Sequence, residues 1–226
     1  MLVGIKKMLI KKIVIIVLLN LFPLSIYSDF VLSPDYINEW QFLDKNGLVY
    51  PWYTKPFLDI LSTWDVSNWE VLEWGGGYST VWWASHCKSV TTIDHDAMWT
   101  SSIQTYLNKL GLKNVIIKVH PIMHAIGIPI GIANGGENSS YVTTIDEDHK
   151  LYDCIIIDGV FRNDCAVKAL RHIKPNGIII LDDANRASIG FNSQQTFSLL
   201  AQYEHYSYLQ PGHPDWRTDV WIINKI

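Results

Sequence analysis

The stretch Val71–Thr80, VLEWGGGYST, places three consecutive glycines between two apolar runs. Glu70–Trp74 has the pattern of a strand and residues 79–86 have the pattern of an apolar helix, so the glycines form the turn between them. Consecutive glycines lose much backbone entropy on folding, and such a turn therefore needs a reason. It lets the backbone approach a ligand closely, in front of the free N–H groups of the new helix. The alternative is a plain strand–helix turn whose glycines serve geometry alone.

Outward from this turn, short apolar runs alternate with helical or loop segments along the chain. The runs are EVLEW at 70–74, SVTTID at 89–94, NVIIKV at 114–119, YDCIIID at 152–158 and GIIILD at 177–182. Cys154–Ile157 is apolar at every position, which indicates a strand covered on both faces. The pattern predicts an α/β fold with a doubly wound, mostly parallel sheet.

The end of the chain predicts a different strand arrangement. Tyr206–Leu209 and Val220–Ile223 have strand patterns, and the connection at 210–219 is too short for a covering helix. A parallel pair needs a crossover of roughly a dozen or more residues, so these two strands should be antiparallel. We therefore expect the sheet to end in an antiparallel C-terminal hairpin.

Two further helices and one long loop are predicted. Residues 33–44 and 53–64 each combine a Ser or Thr with a nearby Pro at the start of an apolar, helix-period segment. Residues 121–138 form a Gly-rich loop that is long for a compact domain, and such loops are usually functional or mobile.

Composition limits the classes of function. The chain has 226 residues, 48% of them hydrophobic, which suits one sizeable globular domain. Its net charge of -4 comes without a basic patch, so no nucleic-acid partner is expected. Cys87, Cys154 and Cys165 are odd in number and lack metal-ligand spacing, which argues against a disulfide framework or a zinc site. Ten tryptophans are too many to hide completely, so some should line a pocket or an interface.

Residues 1–28 predict a signal peptide or an N-terminal membrane anchor, followed by one domain at 29–226. Two lysine pairs, Lys6–Lys7 and Lys11–Lys12, precede a charge-free apolar stretch at 13–28. That stretch falls short of the roughly 20 apolar residues of a membrane span and fits a secretory signal. The expected location is membrane-associated or exported. Unpaired cysteines suit a reducing compartment better, which keeps a cytoplasmic location as the alternative.

The second strand ends in Asp94, and this acid indicates the kind of ligand. A carboxylate at that point suits the hydroxyls of a ribose. A dinucleotide fingerprint would have a third glycine where Thr80 stands. The residues alone therefore predict an adenosine-containing cofactor without deciding which one.

Four motifs taken in order resemble the class I S-adenosylmethionine-dependent methyltransferases. They are E-x-G-G-G-x-S-T after the first strand, IDHDAMW after the second, YDCIIIDGVFR at the fourth and KPNGIIILDDANR at the fifth. The resemblance covers roughly residues 45–226 and is narrower for a bacterial group with an E-[WY]-G-x-G-x-S-T loop. It implies a seven-stranded Rossmann-like methyltransferase sheet whose last strand inserts antiparallel. The implied activity is transfer of a methyl group from S-adenosyl-L-methionine to a small-molecule acceptor, with an oxygen as the expected target.

The resemblance also assigns cofactor-binding roles. The residues are Glu73, Gly75, Gly76, Gly77, Asp94, His95 and Trp99. By this resemblance the glycines pass beneath the methionine part of the cofactor and Glu73 lies near its ammonium group. Asp94 accepts hydrogen bonds from both ribose hydroxyls, and His95 lies near the adenine. Trp99 either stacks on the purine or is a core indole.

Three carboxylates follow the fourth and fifth strands. Asp158 and the neighbours Asp182 and Asp183 should converge on the ligand crevice, where they repel one another unless a cation or a donor compensates. Similarity to metal-dependent O-methyltransferases implies Mg²⁺ on all three. Without a metal, Asp158 or Asp182 would act directly as the catalytic base. In the plainest alternative, Asp183 caps the next segment and Asp182 braces a loop. Arg162 would fix a substrate anion or pair with Asp158.

Two other functions stay open at this point. One is a nicotinamide-dependent oxidoreductase on a similar sheet. The other is a non-catalytic, membrane-attached binding protein that keeps the fold without turnover. The expected partner is a small-molecule acceptor, and the sequence leaves the oligomeric state open.

Overall fold

A computed structural model describes residues 50–122, 136–185 and 193–224, all within the unit Ile37–Ile226. The predicted leader at 1–28, the predicted helix at 33–44 and most of the predicted loop lie outside the described residues. No helix in the three described stretches is long and apolar enough to cross a membrane.

The described chain forms one seven-stranded sheet with helices on both sides, as predicted. Its strands are β1 Glu70–Trp74, β2 Ser89–Asp94, β3 Val115–Val119, β4 Tyr152–Ile157, β5 Ile173–Leu181, β6 Glu204–Leu209 and β7 Arg217–Ile223. Their order across the sheet is β3-β2-β1-β4-β5-β7-β6. The strands β1 to β5 are parallel to one another. Each connection between consecutive strands of this group is long enough for the crossover that a parallel pair needs.

The antiparallel C-terminal hairpin is confirmed. Strand β7 inserts between β5 and β6 and is antiparallel to both, with Ile180 opposite Val220. The strand β5 begins at Ile173, earlier than the predicted Gly177, because its pairing with β4 continues through an irregularity in register near Tyr152.

One helix precedes β1 along the chain, and the others connect consecutive strands. They are α1 Lys55–Leu61, α2 Tyr78–His86, α3 Ala97–Leu110, α4 Ser140–Thr143, α5 Arg162–His172 and α6 Gln194–Leu200. Short 3-10 helices cover Gly136–Asn138 and Thr144–Asp148. The helix α3 shows how local sequence sets the ends: the carboxylate of Asp96 accepts the Met98 and Trp99 N–H groups at 2.8 and 3.0 Å, and Gly111 ends it at φ 72°.

The core lies in the middle strands. Ile155, Ile156 and Ile157 of β4 are fully buried, which explains why this strand is apolar at every position. The thiol of Cys154 is buried in the same strand. The continuous apolar pattern of the sequence therefore reports a strand with helices over both faces.

The segment before α1 is tied to the distant hairpin. The backbone N–H of Thr54 donates to the Thr218 hydroxyl at 3.1 Å, and the Thr54 hydroxyl donates to the carbonyl of Tyr208 at 3.1 Å. The next N–H, of Lys55, donates to the side-chain oxygen of Gln210 at 2.7 Å. These bonds hold residues 50–54 near the carboxyl ends of the central strands.

Candidate functional site

The carboxyl ends of β1, β2, β4 and β5 meet at one edge of the sheet, where the chain order of the strands reverses between β1 and β4. Gly75 N–H donates to the carbonyl of Ile93 at 2.9 Å, and Asp158 N–H donates to the carbonyl of Trp74 at 2.9 Å. In open α/β sheets, ligands bind in the crevice at such a switch point. Gly75 and Asp158 therefore lie where the fold makes a crevice.

The first two glycines of the loop are required by close packing. Gly75 has φ 89°, and a Cβ there would lie 2.7 Å from the backbone nitrogen of Gly159. A Cβ on Gly76 would lie 2.6 Å from the methyl group of Thr92. Real Cβ atoms do not approach other atoms so closely, and a φ near 90° is strained for any residue with a side chain. The loop thus lies flat across the ends of β2 and β4.

The third glycine differs from the other two. Gly77 has φ 176°, an extended conformation that any residue adopts, and a Cβ there would meet Trp99 at an ordinary 3.7 Å. The run of three identical residues therefore contains two that the backbone demands and one that it does not.

Glu73 lies wholly inside the protein, at the end of β1. The hydroxyls of Ser79 and Thr92 donate to its carboxylate at 2.8 Å each, and the Thr80 hydroxyl donates to it as well. Thr80 also accepts the N–H of Gly77 at 3.1 Å, so it links the acid to the loop. Burial raises the pKa of Glu73 to about 7, although the three hydroxyl donors act in the opposite direction. Its predicted contact with the cofactor ammonium stays a prediction.

Asp94 ends β2 with its carboxylate fixed from two sides. One oxygen accepts the N–H of Gly76 at 2.8 Å and the other accepts the N–H of Asp96 at 2.9 Å. Its side chain is only 5% exposed, at the edge of the crevice. The acid and the glycine loop are therefore joined directly.

His95 and Trp99 lie beside this acid, and their predicted contacts with the cofactor stay predictions. The His95 Nδ1 atom lies 3.3 Å from Asp94, and the hydrogen bond with that carboxylate is the main cause that raises the pKa of His95. The Trp99 indole N–H donates to the carbonyl of Gly76 at 2.6 Å, and the ring is half-buried. Trp99 therefore lies partly exposed beside the glycine loop and is not a fully buried core residue.

A cavity of about 170 Å³ opens beside the loop. It is lined by Trp52, Tyr53, Gly76, Gly77, Tyr78, Ser79, Trp99 and Asp158. The sequence prediction named Gly76, Gly77, Trp99 and Asp158 but missed the three other aromatic residues. The high tryptophan content was the one signal that aromatic side chains line a pocket.

The three carboxylates after β4 and β5 do converge. One ligand oxygen from each of Asp158, Asp182 and Asp183 lies within 4.8 Å of the others. Asp182 is buried and accepts the hydroxyl of Thr218 at 2.6 Å. Burial, reinforced by the charges of the other two acids, holds the pKa of Asp182 well above its usual range.

Arg162 pairs with the protein rather than facing the cavity. Its guanidinium donates to the carbonyl of Asp158 at 2.8 Å, to that of Gly159 at 2.9 Å and to that of Asp182, and it lies 3.2 Å from the Asp158 carboxylate. The side chain is only 4% exposed. Of the two roles left open by the sequence, the structure therefore favours the pair with Asp158.

Comparison with known proteins adds the fold. No family model and no curated protein matches the chain. The chain is similar in structure to cofactor-bound Rv0187 from MTB, with 17% identity, a TM-score of 0.54 and coverage of 75% of this chain and 79% of that one. It is also similar to SMU.1697c from Streptococcus mutans, in complex with S-adenosylhomocysteine, with 14% identity, a TM-score of 0.54 and coverage of 75% of this chain and 97% of that one. A third similar structure is the SAM-dependent O-methyltransferase TM0748 from Thermotoga maritima, with 14% identity, a TM-score of 0.53 and coverage of 77% of this chain and 66% of that one.

These likenesses and the strand order define the class of fold. The described part of the chain has the class I S-adenosylmethionine-dependent methyltransferase fold, which confirms the predicted fold class. The narrower bacterial group with the E-[WY]-G-x-G-x-S-T loop stays a prediction.

The two kinds of glycine in the loop can be separated by substitution. Gly75→Ala should destabilise the protein by about 1–2 kcal/mol or more. The backbone at position 75 has a left-handed φ, and the new Cβ would meet backbone atoms that cannot move aside. Gly77→Ala is the matched control and should change the free energy of unfolding by less than about 0.5 kcal/mol. Urea denaturation measures both, and equal stabilities for the two variants would contradict the assignment.

The buried acid Glu73 should make stability depend on pH. Its pKa is raised on folding, so the folded state holds the proton more tightly and stability falls as pH rises from about 4.5 to about 7. Glu73→Gln removes this titration, and the variant's free energy of unfolding should fall less over that window, by up to about 3 kcal/mol. Urea unfolding at several pH values gives the difference, and parallel curves for both proteins would refute it.

Proposed function

We propose that this protein transfers a methyl group from S-adenosylmethionine to a small-molecule acceptor. The observation that carries the proposal is the fixed carboxylate of Asp94, bonded to the loop N–H of Gly76 at the switch point of a methyltransferase fold. The O-methyltransferase among the similar structures supports the same reaction class.

The residues at the crevice fit this cofactor. Each oxygen of Asp94 accepts one backbone N–H, and one of them also lies 3.3 Å from His95, so of the roughly four acceptor sites of a carboxylate one remains for a ribose hydroxyl. Gly76 and Gly77 line the cavity without side chains, which allows the methionine part to lie close to the loop. Trp99 offers a ring beside the same loop.

The expected acceptor atom is an oxygen. Bound S-adenosylmethionine supplies an electrophilic methyl group, and its displacement depends above all on the alignment of donor and nucleophile. Asp158 is the carboxylate that lines the cavity, and its side chain is 33% exposed. It is therefore positioned to take the proton of an acceptor hydroxyl, with the buried Asp182 behind it.

Cofactor binding tests the proposal directly. Asp94→Asn should weaken S-adenosylmethionine binding about tenfold or more, because a hydrogen bond to a charged group contributes roughly 1.5–3 kcal/mol. Asp96→Asn is the matched control, since Asn caps helix α3 about as well as Asp. Isothermal titration calorimetry measures both dissociation constants. Wild-type affinity in Asp94→Asn would overturn the role of this acid, and binding of NAD instead of S-adenosylmethionine would favour the oxidoreductase alternative.

We also propose, as a separate point, that Asp158, Asp182 and Asp183 hold Mg²⁺. Three carboxylates within 4.8 Å form the all-oxygen set that this ion prefers. Bound metal would orient an acceptor hydroxyl and lower its pKa. The repulsion between the three carboxylates can also be relieved without a metal. Arg162 lies beside Asp158, and the raised pKa of Asp182 favours its protonated form.

Metal titration distinguishes a bound ion from compensation by Arg162 and a protonated Asp182. Mn²⁺, followed by electron paramagnetic resonance as a probe for Mg²⁺, should bind saturably to the wild-type protein and not to Asp182→Asn. Affinity should rise with pH, because Asp182 must lose its proton to bind the ion. Asp59→Asn, an exposed acid on α1, is the control and should bind like wild type. An absence of saturable binding to the wild type would refute the metal site.

Location and partners rest on the sequence alone. Membrane attachment or export through residues 1–28 stays a proposal, and so does the absence of a nucleic-acid partner.

A further inference from the structure

Thr218 of β7 lies between the acids that follow β5 and the outer strand of the hairpin. In the antiparallel register of β5 and β7, Leu181 is opposite Asp219, so the next residue of the chain, Asp182, comes opposite Thr218. On its other side Thr218 is opposite Tyr208 of β6. The insertion of β7 into the sheet therefore places one threonine between an acid of the crevice and the hairpin.

The side chain of Thr218 points to the face of the sheet that carries the carboxylate of Asp182. Its hydroxyl donates to the Oδ1 atom of Asp182 at 2.6 Å. The two neighbours of Thr218 in the strand, Arg217 and Asp219, bond to each other at 2.6 Å. Successive side chains of a strand alternate between the two faces, so these neighbours point away from the acid that Thr218 contacts.

The same hydroxyl oxygen also holds the wall segment, residues 50–54, which carries the cavity residues Trp52 and Tyr53. The backbone N–H of Thr54 donates to the Thr218 oxygen at 3.1 Å, and the Thr54 hydroxyl donates to the carbonyl of Tyr208 at 3.1 Å. Both threonines are fully buried, so solvent does not compete for these bonds.

A hydroxyl has a single proton, and this fixes the direction of the link. The Thr218 oxygen accepts the N–H of Thr54, and its own proton is donated to Asp182. A carboxyl group keeps an acceptor oxygen whether or not it carries a proton, so Thr218 holds Oδ1 of Asp182 in both states. A proton or a cation is then left to the other oxygen, Oδ2.

We propose that Thr218 is a positioning residue that links the wall segment to the carboxylate of Asp182. It holds Oδ1 of that acid in place and, through Thr54, keeps the wall segment at the cavity. This inference rests on the proposed function, because the cavity and the acids are the parts of the crevice that the proposed reaction uses. It adds that the two parts share one hydroxyl.

A simpler role for Thr218 would be to satisfy buried polar groups and nothing more. Loss of its hydroxyl would then resemble the loss of any other buried hydroxyl. Thr196 of α6 offers that comparison, because it is fully buried and its hydroxyl donates to the side-chain oxygen of Asn163 at 3.0 Å. A positioning role predicts changes at Thr54 and Asp182 that Thr196→Val does not produce.

The test compares Thr218→Val, which keeps the shape and removes the hydroxyl, with Thr218→Ser, which keeps the hydroxyl. In Thr218→Val the Thr54 amide should exchange its hydrogen about two- to tenfold faster by NMR, the range of one net hydrogen bond. The NMR resonance of the Asp182 carboxyl carbon, identified by its loss in Asp182→Asn, should also move. Thr218→Ser should restore both signals, and Thr196→Val should leave both unchanged.

The binding of S-adenosylmethionine measures the functional consequence. In Thr218→Val the wall segment is held less firmly before binding, so the cost of ordering it falls on the binding step. The dissociation constant measured by isothermal titration calorimetry should rise about two- to tenfold. Thr218→Ser and Thr196→Val should bind like the wild-type protein.

Wild-type protein alone also tests the link, in case Thr218→Val does not fold. The Thr54 amide should be protected from exchange, and the Thr218 hydroxyl proton should exchange slowly enough to be observed by NMR. Rapid exchange of both hydrogens in the wild-type protein overturns the link without any variant.

The outcomes keep this inference apart from the proposed function. Wild-type exchange at Thr54 or an unmoved Asp182 resonance in Thr218→Val overturns the link and leaves the methyltransferase proposal standing. If both signals move but the variant binds S-adenosylmethionine as tightly as wild type, the positioning role is refuted. If wild-type protein does not bind S-adenosylmethionine, the proposed function fails and the positioning role fails with it. Two moved signals, weaker binding and rescue by Thr218→Ser support the proposal.

Discussion

The site depends on the close approach of two backbones, at Gly75 and at Gly159. A Cβ on either residue would come within 3.1 Å of the other's backbone nitrogen, so neither position has room for a side chain. This approach brings the end of β1 directly against the end of β4 and lays the following loop flat. In that position the N–H of Gly76 donates to the carboxylate of Asp94, so the loop and the acid are joined by a hydrogen bond.

The acids around this surface are stabilised by neutral donors far more than by cations. Glu73 is held by three hydroxyls, Asp94 by two backbone N–H groups and Asp182 by the hydroxyl of Thr218. Neutral donors reduce the cost of burying a carboxylate but do not cancel its charge. Burial therefore raises the pKa values of Glu73 and Asp182, and the charge of Asp158 adds to this effect at both acids.

Arg162 has a structural part in this arrangement. Its guanidinium spans the carbonyls that end β4 and β5, and it lies behind the carboxylates instead of in the cavity. A buried guanidinium satisfies several carbonyls at once because its donors are fixed in a planar fork. The same residue therefore holds two strand ends together and offsets part of the repulsion at Asp158.

Local patterns in the sequence determined the sheet, the C-terminal hairpin, the glycine turn and the place of Asp94, because strand periodicity and strand ends are properties of short segments. The tertiary structure alone decided which glycines are essential, since Gly75 is limited by Gly159, which follows the end of another strand, β4. It also decided that Tyr53 reaches the cavity. The segment that carries Tyr53 is held by hydrogen bonds between Thr54 and the distant hairpin. Contacts between residues so far apart leave no periodic signal in the sequence, because each depends on how whole elements pack.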